Sequence, residues 1–418
     1  MVAASRIPKG PDIVPPVLSS TASQYRWIIL GVVSLSMMCY ALVYQSIPPV
    51  ISFIIRDLGI SHGQAGLLTS GFALPGIIIA VPVGILAGVY GPHRLGVLAY
   101  AALAGGALLA ALSTTYALLL AGRLLAGIGA MSLMVLLPPM LVHWFHGREV
   151  GLAMGVFHTS YTVAAILAFN VYSHIGAAFT WQTTLFVSAL IALLGGILYA
   201  SLVRPLPSTT ASVSRAATFR ADWSLVLRRI WPLALSWFWL NAAMLSMFTF
   251  TPDALIERGW TAGAAGRQTS MVLWPAFCLT SFAGILIDRT QRKLLFIVGG
   301  GGLTTIAILG LATPAIPVWS AMLVMGLGIS FFPSALYSLP NDLVPPRALN
   351  LAFALLITFQ NLGVALGPFF SGRVRDATGA YTWPYLLMTA YQALAPLSAL
   401  AILPIRRRVQ QERRHAGA

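Results

Sequence analysis

Long apolar segments, separated by short polar ones, run along most of the chain. Twelve of them can be counted, each about 20 residues long, which is the length that an α-helix needs to cross a bilayer. We predict helices because lipid requires every backbone polar group to be satisfied within its segment, and the alternating pattern of barrel strands is not seen. The segments cover residues 27–50, 64–88, 94–113, 116–140, 151–174, 181–203, 232–252, 265–287, 294–313, 317–340, 350–372 and 383–404.

The second half of the chain repeats part of the first. A pattern of small, hydroxyl and proline residues recurs 200 positions later, and further along the offset drifts by a residue or two. Matches spread over so long a stretch are hard to attribute to chance, so we predict a tandem of two similarly oriented halves. The matched positions are Ala65, Gly66, Thr69, Ser70 and Pro75 with Ala265, Gly266, Thr269, Ser270 and Pro275, and Gly127 and Gly129 with Gly326 and Gly328.

The polar segments divide the predicted helices into three parts. Residues 1–203 are predicted to form an N-terminal six-helix bundle, and residues 231–418 a C-terminal six-helix bundle with a basic tail. Residues 204–230 are rich in Ser, Thr, Ala and Arg, which is typical of a linker. The predicted fold class is an all-α membrane protein with 12 transmembrane helices in two parallel six-helix repeats.

Lysine and arginine are unevenly distributed between alternate polar segments. If the N-terminus is cytoplasmic, nineteen of these residues lie on the cytoplasmic side and five on the opposite side. Because positive charge accumulates in cytoplasmic loops, we expect both termini and the linker in the cytoplasm. We expect an integral membrane protein of the bacterial inner membrane.

The composition agrees with a membrane protein and argues against other classes. Hydrophobic residues make up 58% of the chain and charged residues 8%, and the net charge of +15 lies in the loops, so nucleic acid is not an expected partner. Cys39 and Cys278 lie inside apolar runs without metal-type spacing, and no metal or cofactor is expected. No nucleophile–base pair or phosphate-binding loop suggests an enzyme.

A polar segment at residues 284–293 closes the eighth apolar run. Its Asp288, Arg289 and Arg292 follow the pattern G-x-L-x-D-R-x-G-R-K, with Gln291 in place of the second glycine. In this it resembles the signature of the major facilitator superfamily, and the resemblance covers essentially the full chain because that superfamily also has two parallel six-helix halves. It implies a secondary transporter that works by alternating access.

The resemblance implies that this segment takes part in gating. An acid beside a cluster of bases at a helix junction makes charge-assisted hydrogen bonds, which break and re-form as the halves rock. The structural alternative is a simple loop anchor. In the first-half copy, Gly88 stands where the acid belongs, so the charged part of the gate is expected in the second half. The candidate gating residues are Asp288, Arg289, Arg292, Gly84 and Gly284.

Arg123 is a fixed charge well inside a predicted span, where charge is costly and usually faces the bundle interior. With Gly127 and Gly129 it resembles the R-x-x-x-G-x-G motif of the superfamily's fourth helix. Three interpretations remain open for it: a clamp for a substrate carboxylate, a member of a proton-linked network, or an arginine that holds backbone carbonyls of a neighbouring helix.

The resemblance places the substrate site at mid-membrane between the two halves. No Asp or Glu falls in the middle of a span, so a cation would find no buried carboxylate, and a small organic anion or a weakly polar neutral molecule suits the site better. Any one intramembrane Tyr or Trp is more often a packing residue than a ligand-binding one. The candidate substrate-binding residues are Arg123, Tyr40, Tyr44, Gln45, Tyr161, Trp237, Asn241, Trp274, Tyr337, Gln360 and Asn361.

His158 is the candidate for proton coupling. It lies about a third of the way into span five, and the unperturbed pKa of histidine, about 6.5, is close to neutrality. A packing role in the helix interface is an equal alternative.

Two further sequence features bear on the substrate. The superfamily's fifth-helix antiporter motif G-x-x-x-G-P is absent from span five and occurs instead in span eleven, at Gly363, Gly367 and Pro368, which weighs against a drug–proton antiporter. Short strings around residues 47–70 and 137–139 resemble the cyanate/nitroimidazole-type branch, which implies small anionic or polar organic substrates.

The function expected from these features is secondary active transport of a small organic anion or weak acid, coupled to protons, by a monomer in a lipid bilayer. The alternatives are efflux of drug-like or neutral aromatic compounds and, in a different class, a non-transporting membrane sensor on a transporter scaffold.

Overall fold

The computed structural model describes residues 20–145, 149–203, 216–313, 316–345 and 348–416. Within these ranges the chain is almost entirely helical, and no strand is found. Eleven helices of the described residues are long and apolar enough to cross a membrane. The all-α prediction is confirmed.

The described residues of the N-terminal half form nine α-helices. A short 3-10 turn at Pro48–Val50 separates the first two, and a π-helical segment at Ala168–Tyr172 separates the seventh and eighth. The pieces are α1 (Ser20–Tyr44), α2 (Ile51–Leu58), α3 (His62–Gly71), α4 (Gly76–Tyr90), α5 (Pro92–Ala111), α6 (Tyr116–Trp144), α7 (Glu149–Leu167), α8 (Ser173–Ala178) and α9 (Trp181–Leu202).

The described residues of the C-terminal half also form nine α-helices. Its helices are α10 (Ala216–Glu257), α11 (Ala262–Ser270), α12 (Leu273–Thr290), α13 (Lys293–Ala312), α14 (Val318–Ser338), α15 (Pro340–Leu343), α16 (Leu349–Thr378), α17 (Thr382–Leu400) and α18 (Ile402–Ala416). Helix α10 begins at Ala216, inside the segment 204–230 predicted as a linker, and residues 204–215 of that segment lie outside the described residues.

Proline explains the main break in the first span. Pro48 has no N–H and therefore cannot donate to the carbonyl of Tyr44 four residues earlier. Pro49 likewise cannot donate to the carbonyl of Gln45. The helix therefore ends at Tyr44 and restarts at Ile51 after the 3-10 turn.

The second span and its repeat both bend near the same place. Helix α3 ends at Gly71 and α4 begins at Gly76, after Pro75. In the second half α11 ends at Ser270 and α12 begins at Leu273, with Pro275 in its first turn. The repeated sequence thus coincides with a repeated bend, which changes the direction of the helix axis within each span.

Small residues let the helices within each half pack backbone to backbone. A Cβ built on Gly122 of α6 would lie 2.6 Å from the backbone nitrogen of Ala110 in α5. In the second half, a Cβ on Gly363 of α16 would lie 2.2 Å from the carbonyl oxygen of Phe238 in α10. Close contacts of this kind are a main source of helix association in lipid.

The two halves meet at one end of the bundle. We call the end that carries the starts of α1 and α10 and the C-terminal helix α18 the termini end, and the opposite end the closed end. At the closed end a hydrophobic cluster combines residues from both halves, among them Ile47 and Ile51 of the first half with Met247 and Phe250 of the second. Two helix crossings, α3 on α16 and α11 on the α7–α8 span, also join the halves there.

Candidate functional site

An aromatic patch lies in the N-terminal half where α1 passes α3 and α7. The rings of Tyr40 and Tyr44 stack with centroids 5.9 Å apart, and Tyr161 lies 6.2 Å from Tyr40. Phe72, just after the end of α3, completes the patch at 5.2 Å from Tyr44. The structure therefore brings together three of the predicted substrate-binding residues, and Phe72 is an addition that the sequence did not single out.

Gln45 lies at the end of the same patch. Its side chain is buried, interacts with the Tyr161 hydroxyl, and leaves the carboxamide oxygen without a hydrogen-bond partner. A buried polar atom without a partner is costly, and such atoms in a concave site are candidates for ligand contact.

A second patch lies in the C-terminal half. The Trp237 indole Nε1 donates to the Gln360 side-chain oxygen at 3.0 Å, and its ring meets Tyr337 edge-on at 4.8 Å. Asn241, one turn along α10, donates through Nδ2 to the Trp237 carbonyl at 2.8 Å. Four predicted residues from three different helices thus form one cluster.

Two further candidates, Asn361 and Trp274, lie outside the two patches. Asn361 reaches the other half, since a Cβ on Gly76 of α4 would lie 3.4 Å from its Nδ2. Trp274, at the start of α12, is 50% exposed and belongs to neither patch by a described ring contact.

Arg123 is completely enclosed, with 2% of its surface exposed. Its Nε donates to the carbonyl of Leu68 at 3.1 Å, while Nη1 and Nη2 donate to those of Val43 at 2.8 Å and Tyr44 at 3.1 Å. The guanidinium also stacks over the Phe72 ring at 4.5 Å. Of the three interpretations, this geometry is that of an arginine holding backbone carbonyls, and a direct clamp would require these bonds to be exchanged.

The partners of Arg123 follow from the helix breaks. The Tyr44 carbonyl has lost its intrahelical donor to Pro48, and the Leu68 carbonyl lies in the last turn of α3, where helices leave carbonyls unpaired. Arg123 therefore satisfies backbone groups that the bends of the first two spans release. Because its charge is fixed, it brings a positive potential to the base of the Tyr40 and Tyr44 patch.

His158 is exposed on α7 and contacts the ring of Phe157 edge-on at 5.2 Å. It lies about one turn from Tyr161 on the same helix.

The signature segment lies at the termini end, at the junction of α12 and α13. Arg289 and Arg292 are exposed there, whereas the side chain of Asp288 lies outside the described residues. Lys293, which closes the segment, is buried and donates from Nζ to the Asp342 carboxylate at 2.9 Å. A base of the segment thus ties α13 to α15 within one half.

Gly84 and Gly284 have open space around them. A Cβ built on either glycine would meet nothing within 4 Å. The same holds for Gly151 and Gly155 at the start of α7. These small residues of the termini end are therefore unpacked, in contrast with Gly66, Gly263 and Gly266 at the closed end.

The sequence did not predict a charged cluster that lies at the closed end. His62, the first residue of α3, lies between Asp376 of α16, 3.0 Å from its Nδ1, and Asp253 of α10, 3.4 Å from its Nε2. The three are more than 100 residues apart, and only the serine–glutamine capping box of Ser61 and Gln64 marked the site as a helix start. No alternation or motif connects them in the sequence.

The other crossing at the closed end is built from neutral groups. Asn170 of the π-helical segment donates through Nδ2 to the Ser270 hydroxyl at 3.0 Å. A Cβ on Gly266 of α11 would lie 2.1 Å from the Phe169 carbonyl oxygen, and one on Gly263 would lie 2.5 Å from His174 Nε2. Helix segments of π type are frequent at functional sites.

The chain is similar in sequence to known transporters along most of its length. The model of the Major Facilitator Superfamily matches residues 33–368 and 254–418. The chain is 22% identical over 409 aligned residues to the probable sulfoacetate transporter SauU of Cupriavidus necator, covering 91% of this chain and 94% of that protein. It is 24% identical over 307 residues to the human lysosomal dipeptide transporter MFSD1, covering 68% and 65% of the two chains.

A solved structure has the same fold. A bacterial homologue of the human lysosomal transporter Spinster, in an inward-facing and unoccupied conformation, superposes with a TM-score of 0.73 and 17% sequence identity, covering 92% of this chain and 95% of that one.

Proposed function

The chain belongs to the major facilitator superfamily, and from this premise we propose that it carries a small organic anion or weak acid across a membrane by alternating access, together with a proton. The family and the similarity to named transporters support a membrane transporter that is not an enzyme. The substrate class, the coupling proton and a monomeric state are the proposed parts.

The observation that carries the anion proposal is the uncompensated charge of Arg123. Among the described residues, no carboxylate lies within ion-pair distance of its guanidinium, which is neutralised only by carbonyl dipoles. A buried positive charge in low dielectric exerts a strong field on its surroundings. An anion beside Tyr40 and Tyr44 would gain from this field without displacing the arginine from its carbonyl partners.

The polar groups of the two patches suit the same kind of substrate. The Tyr40, Tyr44 and Tyr161 hydroxyls and the Trp237 and Gln360 nitrogens of the patches are hydrogen-bond donors, and so is the side-chain nitrogen of Asn361 outside them. Carboxylates and other oxyanions need such donors. The described residues of both patches include no acidic side chain that would repel an anion. The similarity to a probable sulfoacetate transporter supports this class, because sulfoacetate is itself a small organic anion.

Orientation and conformation complete the proposal. If both termini are cytoplasmic, as the distribution of basic residues favours, the closed end faces outwards and the structure is inward-facing, in a bacterial inner membrane. Rocking of the halves would then open the His62 end and pack the open glycines Gly84, Gly151 and Gly284 at the termini end. Arg289 and Arg292, with Asp288, are the proposed charged part of that inner gate.

Uptake by proteoliposomes tests the proposal. Wild type is expected to accumulate labelled small carboxylates or sulfonates under an inward proton gradient. Uptake by Arg123→Gln is expected to be at least about tenfold lower. One buried charge contributes to anion binding several times the roughly 1.4 kcal/mol that corresponds to a factor of ten. Arg123→Lys keeps the charge and is expected to retain anion preference with a lower rate.

A matched control separates charge from packing. Arg258 also donates to a backbone carbonyl, that of Leu311 at 2.8 Å, but it lies at the end of α10 away from both patches. Arg258→Gln should leave the substrate preference unchanged. If wild type moves no anion under any gradient, the proposal fails, and the aromatic patches then favour efflux of neutral aromatic compounds.

His158 is the proposed proton-coupling residue, since it is exposed on the helix that carries Tyr161. His158→Ala is expected to uncouple uptake from the gradient while leaving exchange of substrate across the membrane. Membership of the cyanate/nitroimidazole-type branch would agree with small anionic or polar organic substrates, whereas a non-transporting sensor would show neither uptake nor exchange.

A further inference from the structure

The histidine at the closed end is held by both halves of the transporter. His62 begins α3, and one oxygen of Asp376 accepts its backbone N–H at 2.8 Å and faces its ring Nδ1 at 3.0 Å. The other oxygen of Asp376 accepts the N–H of Gly63 at 2.9 Å. Asp376 belongs to α16, so a carboxylate of one half caps the first turn of a helix in the other.

The second ring nitrogen faces another carboxylate. Nε2 of His62 lies 3.4 Å from an oxygen of Asp253 on α10, and the Tyr381 hydroxyl donates to that same oxygen. A protonated imidazole donates from both nitrogens and satisfies both carboxylates. A neutral imidazole has one donor only, so one nitrogen lone pair must then face a carboxylate oxygen.

Further charges near the ring come from α16 and α10. Arg375 of α16 pairs with Glu257 of α10 at 2.8 Å and lies over the Tyr381 ring, while the Arg373 side chain lies against Gly63. Phe250 and Tyr381 contact the His62 ring at 6.4 and 6.0 Å. Among the described residues, Arg375 pairs with Glu257 and no lysine or arginine lies within ion-pair distance of Asp253 or Asp376. His62 is therefore their close partner that can carry a positive charge.

We propose that His62 is a proton-binding site of the closed end, and that the proton bound between Asp253 and Asp376 holds the two halves together. Loss of this proton leaves a lone pair against a carboxylate and favours separation of α3 from α10 and α16. The side chain is 19% exposed, so the medium at that end supplies and receives the proton.

The inference deepens the proposed function by naming a second proton site, distinct from His158 and situated at a gate. It makes opening of the closed end depend on the pH of the medium that this end faces. The closed form is fully favoured below the ordinary histidine pKa of about 6.5, and its population falls as the pH rises above that value.

Distance measurements between the halves test the inference without any substrate. Thr114 and Thr313 are exposed residues at the closed end, one in each half, and suit paired spin labels. The labels are placed in a full-length chain whose own cysteines are replaced by Cys39→Ala and Cys278→Ser. The ratio of the short-distance to the long-distance population is then recorded in nanodiscs from pH 5.5 to 8.5.

The wild-type ratio is expected to fall as pH rises, by at most about tenfold per pH unit, because one proton is linked to closing. His62→Gln should remove the slope. His62→Lys, whose charge is fixed over this range, should remove the slope and keep the closed form populated at pH 8.5. Asp253→Asn should reduce the slope, because an amide can donate to the unprotonated nitrogen.

A second histidine at the same end is the matched control. His174 lies against Gly263 at the other crossing and faces the carbonyl of Asn170 at 2.6 Å rather than a carboxylate. His174→Gln should keep the wild-type slope. A slope that survives His62→Gln, or a wild-type ratio that does not change with pH, would overturn the inference. Because no anion is present, either result is independent of whether the chain transports anions.

Discussion

The two helix crossings at the closed end use the same backbone geometry with different chemistry. Gly66 of α3 meets the carbonyl oxygen of Pro368 in α16, where an added Cβ would lie at 2.4 Å, and its repeat mate Gly266 meets the carbonyl of Phe169 at 2.1 Å. Around the first crossing stand His62 and two carboxylates. Around the second stand Asn170, Ser270 and His174, with no charged pair among the described residues.

The difference shows how a duplicated chain can acquire one conditional contact. Close approach of backbones needs glycine in both halves, so the repeat keeps Gly66 and Gly266. Charge needs only one copy, since a single titratable cluster is enough to make closing depend on protons. The neutral crossing then contributes to closing of the same end by an amount that does not change with pH.

The largest effect is expected where the two crossings are alike. Gly66→Ala and Gly266→Ala each place a methyl group against backbone that cannot give way, which costs about 1–3 kcal/mol of packing. Each should lower the closed population about 5- to 150-fold in the spin-label experiment. Gly105→Ala on α5, where an added Cβ meets nothing within 4 Å, is the control, and an equal loss there would mean that the crossings are not the contacts that close this end.

A smaller effect is expected where the crossings differ. Asp376→Asn removes the charge from a group that accepts two backbone N–H bonds and faces His62, and each charge-assisted bond contributes about 1.5–3 kcal/mol. The closed population should fall by about tenfold at pH 5.5, with a smaller fall at pH 8.5. Equal losses at both pH values would show that the capping bonds, rather than the histidine, account for the effect.

The smallest effect belongs to the neutral crossing. Asn170→Ala removes one hydrogen bond to Ser270, worth about 0.5–1.5 kcal/mol between uncharged groups. The closed population should fall about two- to tenfold and by the same factor at every pH. A pH-dependent loss would place titration at this crossing too and remove the contrast between them.

Much of the fold could be predicted because its signals are local. Apolar runs of spanning length and the repeated small residues lie within short windows of the chain, so they indicate the helices. The breaks at Pro48 and Pro75 fall inside segments that were predicted as continuous spans. The candidate substrate residues on α1, α7, α10, α14 and α16 were chosen as polar or aromatic side chains on the helices that line the site in the family. Most of them fall into two patches, while Trp274 lies apart from both.

The role of Arg123 could be narrowed only by its surroundings. Its position inside a span predicted a buried charge, and the structure agrees. Whether that charge would face a ligand or a carbonyl depends on which neighbouring backbone groups have lost their donors. Those groups belong to α1 and α3, 55 to 80 residues away.

The sequence by itself determined an all-helical membrane protein with duplicated halves and a transporter signature, because hydrophobicity, helix breaks and repeats are properties of neighbouring residues. Only the tertiary structure decided which end is closed and what closes it. His62 and Asp376 are 314 residues apart, and they form one site because the first turn of α3 packs against the last turns of α16. A hydrogen bond depends on a few ångströms of separation in space, and nothing in the linear order of residues encodes that distance.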